Sequence, residues 1–459
     1  MEKSISQENE LAVRPIGKLI AKFAIPSVIS LTVTALYNIV DQIFIGNKIG
    51  YLGNGATNVV FPITALAHGL AMLLGCGCAA YMNLNMGKGK NKEADKGVGN
   101  TIVSLVLLAI VLPLLCEAFI SPLLNIFGAT TANKPLAMEY GRIIIAGFPF
   151  VIMYSGLNQI IRSDGNPKMA MMSMLSGAII NVILDAWFMY GLDLGIKGAA
   201  WATIIGQAIS FVISCVWTFR LKNVHLTKDC FKMKGSTIGR VCAIGVSSFI
   251  TQAEIVILTI VMNNVLVKYG AQSVYGEDIP MTAMGIVMKV NSVLTNIIAG
   301  IAIGGQPIIS FNYGAKKYDR VKKTYKTCVI AAVIVSAIAF LGFQLIPERI
   351  SRIFGNEGEL YTSFACKAFR IYLMLVIPVA IINVSGVFIQ SVGKPVKSSI
   401  ITLARQVVCQ CPAIVIFAMI GGVEAALWAG PVADAIAFII AATFMIYEFK
   451  QIRRMSHEE

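Results

Sequence analysis

The stretch Lys88-Gly89-Lys90-Asn91-Lys92-Glu93-Ala94-Asp95-Lys96, followed by NTIVSLVLLAIVLPLLCEAFIS over residues 100–121, decides how this chain must be read. A short basic connector leads into an apolar run whose one charged residue, Glu117, lies near its far end. About 20 apolar residues suffice to cross a hydrocarbon core. The same alternation continues in both directions. Of the 459 residues, 56% are hydrophobic and 14% charged, against about 25% charged in soluble domains. No polar block between the runs is long enough to fold separately, which excludes a large soluble catalytic or nucleotide-binding domain.

Reading the runs between Gly, Pro and charge clusters gives twelve spans, near 18–45, 58–84, 100–121, 138–161, 169–190, 199–219, 239–266, 281–311, 327–346, 366–390, 398–420 and 425–447. Those near 58–84 and 281–311 are long enough to tilt, kink or leave the bilayer. Alternate connectors are basic: Lys88 to Lys96; Arg162 and Lys168; Arg220, Lys222, Lys228, Lys232 and Lys234; Lys316 to Lys323; Lys394 and Lys397; then Lys450, Arg453 and Arg454. Connectors such as Gly46–Thr57, Gly191–Gly198 and Lys268–Pro280 hold few basic residues. The positive-inside rule makes the basic loops cytoplasmic and puts both termini inside. The net charge of +14, from 38 Lys+Arg and 24 Asp+Glu, thus sits in loops. A nucleic-acid binder would carry it on a folded face with stacking aromatics, so no nucleic acid partner is expected. The polar start, Met1–Glu10, lacks a signal-peptide pattern.

The chain repeats itself. Ile16-Gly17-Lys18 recurs as Ile238-Gly239-Arg240, Asn85-Met86-Gly87 as Asn312-Tyr313-Gly314, and Ile126-Phe127-Gly128 as Ile353-Phe354-Gly355. Ser163, Gly165 and Pro167 recur as Ser391, Gly393 and Pro395, and Trp201-Ala202 as Trp428-Ala429. The order is kept and the separations stay between 222 and 228 residues. Six spans per half is an even number, so both halves enter the membrane alike. The expected fold is an all-α polytopic membrane protein of twelve transmembrane helices, in two six-helix bundles related by a pseudo-two-fold along the membrane normal, with a cleft between them. The lobes are 1–219 and 238–459, joined by a cytoplasmic linker, 220–237, that serves as a flexible tether.

Carboxylates inside a bilayer are costly, roughly 2.5 to 3.5 kcal/mol each, so they call for a function and a partner. Asp41, Asp185, Glu254 and Asp434 qualify, while Glu117 and Glu448 read as interfacial anchors at span ends. Asp41 and Asp185 lie at similar depth in spans 1 and 5. Asn181 is one turn from Asp185, Tyr37 one turn from Asp41, and Thr203 enters span 6 from the same side. Together they offer hard oxygen donors suited to Na⁺ or a shared proton; the bland alternative is a packing network. At the repeat separations Asp41 maps onto Asn263, Asp185 onto Pro412 and Asn181 onto Val408, so this cluster belongs to one lobe. In the other lobe, Glu254 and Lys289 are within reach of an ion pair, against a role for Glu254 in ion or substrate binding. Arg405 reaches Asp434 only if packing closes a depth difference. Glu254, Lys289 and Asp434 form a candidate C-lobe ion or substrate site.

Pro26 removes a backbone hydrogen bond in span 1 and permits a bend, so it is the candidate hinge. Met169, Met171, Met172 and Met174 can line an adaptable cleft or simply pack. Ten cysteines read as small hydrophobes without a disulfide framework. The pairs Cys76/Cys78 and Cys409/Cys411 are spaced to face apart on a helix, and His68, His225 and His457 are dispersed, so no metal site is expected. There is no G-x-x-x-x-G-K-[ST] loop, and ATP is not expected to drive the protein directly.

At this point the chain resembles the multidrug and toxic compound extrusion (MATE) transporters over nearly its whole length. The likeness is carried by Pro26, Asp41-Gln42, Asn85-Met86-Gly87 before a basic loop, and Arg162-Ser163-Asp164-Gly165-Asn166-Pro167. Asn181-x-x-x-Asp185 then leads to Gly195-Ile196-x-Gly198-Ala199-Ala200-x-Ala202-Thr203, and Gln390-Ser391-x-Gly393-x-Pro395 repeats an earlier motif. In that family the residues matching Asp41, Asn181, Asp185 and Thr203 form an N-lobe cation site. Glu254 is similar to the span-7 acid of a branch with a C-lobe site. That branch also has a span-10 aspartate, whereas Ile381–Gln390 here has Asn383 and Ser385 but no carboxylate. Arg405-Gln406 followed by Pro412 resembles the MepA-like bacterial subgroup. The resemblance implies a monomeric secondary antiporter, not an enzyme, in the bacterial cytoplasmic membrane. It would export lipophilic, cationic organic compounds in exchange for inward H⁺ or Na⁺, without a cofactor. A lipid-linked precursor flippase would want a basic central cavity. An intramembrane enzyme or a sensor would want a clustered reactive site or an extra domain.

Overall fold

Among the described residues of the computed structural model, ten helices are long and apolar enough to cross a membrane, and two more spans are broken pairs of helices. The structure describes residues 10–129, 133–276, 278–353 and 358–457. Met1 to Asn9 and the Phe354-Gly355 part of one repeat match lie outside them. The spans are, in order, span 1 (Ile16–Ile49), span 2 (Tyr51–Gly87), span 3 (Asn91–Ala118), span 4 (Lys134–Ala146 with Phe148–Ser163), span 5 (Pro167–Gly191) and span 6 (Gly195–Thr218). They continue as span 7 (Gly235–Gly270), span 8 (Asp278–Gly314), span 9 (Tyr318–Leu345), span 10 (Glu359–Tyr372 with Val376–Ser391), span 11 (Pro395–Ala426) and span 12 (Ala429–His457). No strand occurs among the described residues.

The duplication is built into the backbone. Spans 4 and 10 are each bent by 50° at their break. The short helices Ile120–Ile126 and Pro347–Ile353 follow spans 3 and 9. Spans 2 and 8, and spans 3 and 9, open 227 residues apart in both cases. Two bundles of six spans result.

The four longest helices outgrow their expected bounds at both ends. Spans 1, 2, 7 and 8 contain 34, 37, 36 and 37 residues. At 1.5 Å per residue they are about 50–55 Å long, well beyond a ~30 Å hydrocarbon core. The expected connector Gly46–Thr57 is therefore mostly helix, turned at Gly50 with φ +82°. Apolar runs mark where lipid ends, whereas a helix continues as long as its backbone and packing allow.

These long helices define a cleft with one closed end. Residues 74–84 of span 2 and 304–312 of span 8, next to the basic loops, are buried at every position. Between residues 31 and 44 of span 1, toward the other end, none is fully buried. The cleft is thus sealed on the basic side and open opposite. Glycine makes the seal tight: a Cβ on Gly77 would lie 2.1 Å from the Val241 carbonyl oxygen, and one on Gly245 1.8 Å from that of Leu73. Small residues let backbones touch across membrane helix interfaces.

Three expectations about the basic side change. Arg162 is not a loop residue but ends span 4 at 2% exposure, donating from Nη1 to Gln159 Oε1 at 3.0 Å. Glu448 is not an interfacial anchor, because span 12 runs on past it; it is fully buried and pairs with Lys394 and, at 2.5 Å, with Lys397. The linker is not a free tether. Asp164, fully buried, accepts from the backbone N–H groups of Lys222 at 2.5 Å and Asn223 at 2.8 Å. Asn100 donates to the carbonyls of Cys230 (2.9 Å) and Lys232 (3.1 Å). Burial pushes the Asp164 carboxyl up to about 6 despite those donors.

Candidate functional site

The first bundle brings the predicted N-lobe residues together. Asp41 and Tyr37 come from span 1, Asn181 and Asp185 from span 5, and Thr203 from span 6. Asp185 and Asn181 are 0% and 2% exposed, while Asp41, Tyr37 and Thr203 are half-buried. The Asp41 and Asp185 carboxyls are close enough for each to act electrostatically on the other, and Asn181 Nδ2 donates to Thr203 Oγ1 at 3.4 Å. Just beyond Asp185 the helix widens into a π segment, Trp187–Gly191, a distortion that often accompanies functional sites.

Four buried oxygens in this cluster, Asp41 Oδ1, both carboxylate oxygens of Asp185 and Asn181 Oδ1, accept no hydrogen bond from any described group. An unpaired buried acceptor costs about 1–3 kcal/mol, and more when charged. No lysine or arginine bridges the two carboxylates in an ion pair among the described residues. A cavity of ≈ 20 Å³, enough for one water or ion, lies beside them, lined by Thr34, Tyr37, Tyr154, Asn181, Thr203 and Gln207 among others. Tyr154 and Tyr140, both from span 4, close the cluster against the bundle. Sequence reading missed these tyrosines because span 4 reads as plain apolar helix; Gln207, one turn from Thr203, carried a legible signal.

The second bundle is arranged differently, and it corrects the Glu254–Lys289 expectation. No ion pair joins those two among the described residues. Glu254, 3% exposed, has Arg405 as its charged neighbour and leaves Oε2 without a donor. Lys289 is half-buried and lies apart. Glu254 is 16 residues from the end of span 7 and Lys289 11 from the start of span 8, so at 1.5 Å per residue their depths differ by about 7 Å. The depth question for Arg405 and Asp434 is settled in favour of pairing: Arg405 Nε donates to Asp434 Oδ1 at 2.7 Å, with side chains 15% and 8% exposed. The contact of Lys397 with Glu448 sets the register of spans 11 and 12, leaving an offset that the arginine stem spans. Arg405 sits in a π segment, Ala404–Gln410, whose Gln410 donates to the Tyr372 hydroxyl at 2.7 Å. The second bundle pairs one of its deep carboxylates with an arginine of its own, whereas no such pair occurs at Asp41 or Asp185 among the described residues.

Pro26 is buried within an unbroken span 1. It lies on the sealed half of the cleft, where Gly304 and Gly300 of span 8 approach Ala24 and Val28 at 2.5 and 2.6 Å from their would-be Cβ positions.

A twelve-span bundle pair with a one-sided cleft and deep unpaired carboxylates defines a multi-pass membrane transporter rather than an enzyme. The chain belongs to the MatE family, whose profile matches it twice, over residues 26–187 and 248–416. The two matches fall one per bundle, as the internal repeat requires. Among curated relatives, the chain is 23% identical over 447 residues to the multidrug export protein MepA of Staphylococcus haemolyticus, covering 95% of this chain and 94% of that one. It is 22% identical over 429 residues to the FAD transporter of Shewanella oneidensis, covering 92% of each. Among solved structures, an outward-facing conformation of a multidrug resistance MATE family transporter of the MOP superfamily superposes with a TM-score of 0.90 at 21% identity, covering 98% of this chain and 99% of that one.

Proposed function

We propose that the protein is a secondary antiporter of a bacterial plasma membrane, exporting lipophilic, cationic organic compounds in exchange for inward H⁺ or Na⁺. The observation that carries this reading is the set of four donorless buried oxygens around Asp41 and Asp185, with which no lysine or arginine forms an ion pair among the described residues. An imported cation supplies what the fold lacks. Coupling follows because a ligand shifts a conformational balance only through its differential affinity: the ion favours one access state at Asp41/Asp185 and the exported compound the other. The multidrug export names of relatives such as MepA support the substrate class. The basic loops support a cytoplasmic location for the sealed side and both termini, and on that reading the cleft opens outward. The monomer holds the complete site.

Reconstitution into liposomes, with efflux of a fluorescent organic cation followed under separately imposed H⁺ and Na⁺ gradients, tests the proposal. Efflux driven by at least one gradient is expected, and cation movement indifferent to both would overturn it.

A further inference from the structure

Two short segments on the basic side cross between the bundles. The first, Glu10–Val13 with Arg14, leads into span 1 of the first bundle but is tied to the second. Asn312 Nδ2 and Arg320 Nη2 both donate to the Leu11 carbonyl, at 2.9 and 3.0 Å. Arg320 Nη2 also donates to the Arg14 carbonyl at 2.7 Å, and its Nε is steadied on Asn312 Oδ1 at 3.1 Å. The second segment, Lys222 to Lys234, leads into span 7 of the second bundle but is tied to the first. Besides its bonds to Asp164, it gives the His225 N–H to Asp95 Oδ1 at 3.1 Å and the Lys234 N–H to Asn100 Oδ1 at 2.6 Å. Asn100 is 1% exposed, and Gly99 beside it would place a Cβ 2.4 Å from the Cys230 carbonyl.

We infer that these crossed straps are a pair of latches that hold the basic side of the cleft shut. The inference rests on reading the chain as an alternating-access transporter. The first strap joins span 1 through Pro15 (ψ 132°) and a surface ion pair of Glu10 with Lys22, and the second joins span 7 through the extended Lys232 (ψ 111°) and Lys234 (ψ 113°). Parting the bundles at the basic side therefore pulls both straps against buried or charge-assisted hydrogen bonds. The straps are repeat-related in position, each preceding the first span of a bundle, so one opening motion loads both. Their release exposes the seam between spans 2 and 7, where the Cys76 thiol, 4% exposed, meets Ser248.

Cys76 is the natural reporter and Cys116, 5% exposed inside the first bundle, the control. Two backgrounds, each retaining only one of these thiols, are labelled with N-ethylmaleimide in detergent, with and without Asn100→Leu, Arg320→Met or both. Loss of a strap should raise the Cys76 rate roughly tenfold or more, and the double variant more than either, with Cys116 unchanged. A Cys76 rate within twofold of the parent would mean that the straps ride along without resisting. Parallel rises at both thiols would mean that they hold the fold instead; either result overturns the inference. Because labelling needs no substrate or gradient, a failure of export would leave this outcome standing.

Discussion

Removing the Arg405 side chain charge should be the most damaging single change in the second bundle. The guanidinium is 2.7 Å from Asp434, an attraction of about 6 kcal/mol at an effective dielectric of 20. Desolvating two ions costs several kcal/mol each, so the intact pair nets close to zero while an orphaned partner does not. Breaking a buried pair costs about 3–5 kcal/mol. The geometry makes the cost unequal. Arg405→Met strands Asp434 and also deprives Glu254 of its cationic neighbour, whereas Asp434→Asn leaves Arg405 beside Glu254. The expected order of stability is wild type, then D434N, then R405M/D434N, with R405M lowest and near the full loss. Unfolding midpoints in SDS mixed micelles, normalised to expression, measure this cycle. If R405M is no worse than D434N, or the double variant is no better than R405M, the picture of an arginine shared by two carboxylates is wrong.

Asp41→Asn or Asp185→Asn should abolish gradient-driven efflux in proteoliposomes while leaving the protein monodisperse; full transport by either would reduce the cluster to packing. Pro26→Ala tests the hinge: slowed export is expected, and wild-type rates would make the proline incidental. Asp164 should give a pH signature. Its folded-state value is raised from 3.8 to about 6, so the unfolded chain releases the proton more readily. Ionisation of this group costs the folded form about 3 kcal/mol above pH 6. Acidifying from about pH 6 toward 4 should restore that stability, and D164N should flatten this part of the unfolding profile measured across the same range.

The sequence by itself determined the twelve spans, the duplication and the identity of the N-lobe cluster. Apolar length, basic loops and residue spacing are local quantities, and Asp41, Asn181, Asp185 and Thr203 share a depth that counting along helices can recover. Tertiary structure alone decided which charges meet. Glu254 turned toward Arg405 rather than Lys289, and Arg405 reached Asp434, because helix rotation, π segments and the true length of span 12 set contacts that spacing along one helix does not encode. It also decided that residues 222–234 are strapped to the first bundle. Those hydrogen bonds join the Asn100 and Asp164 side chains to backbone N–H and carbonyl groups of the strap, and a backbone atom leaves no mark in the residue code. The closed end of the cleft follows from the same source, since a glycine such as Gly77 or Gly245 reveals its purpose only when another helix backbone lies against it.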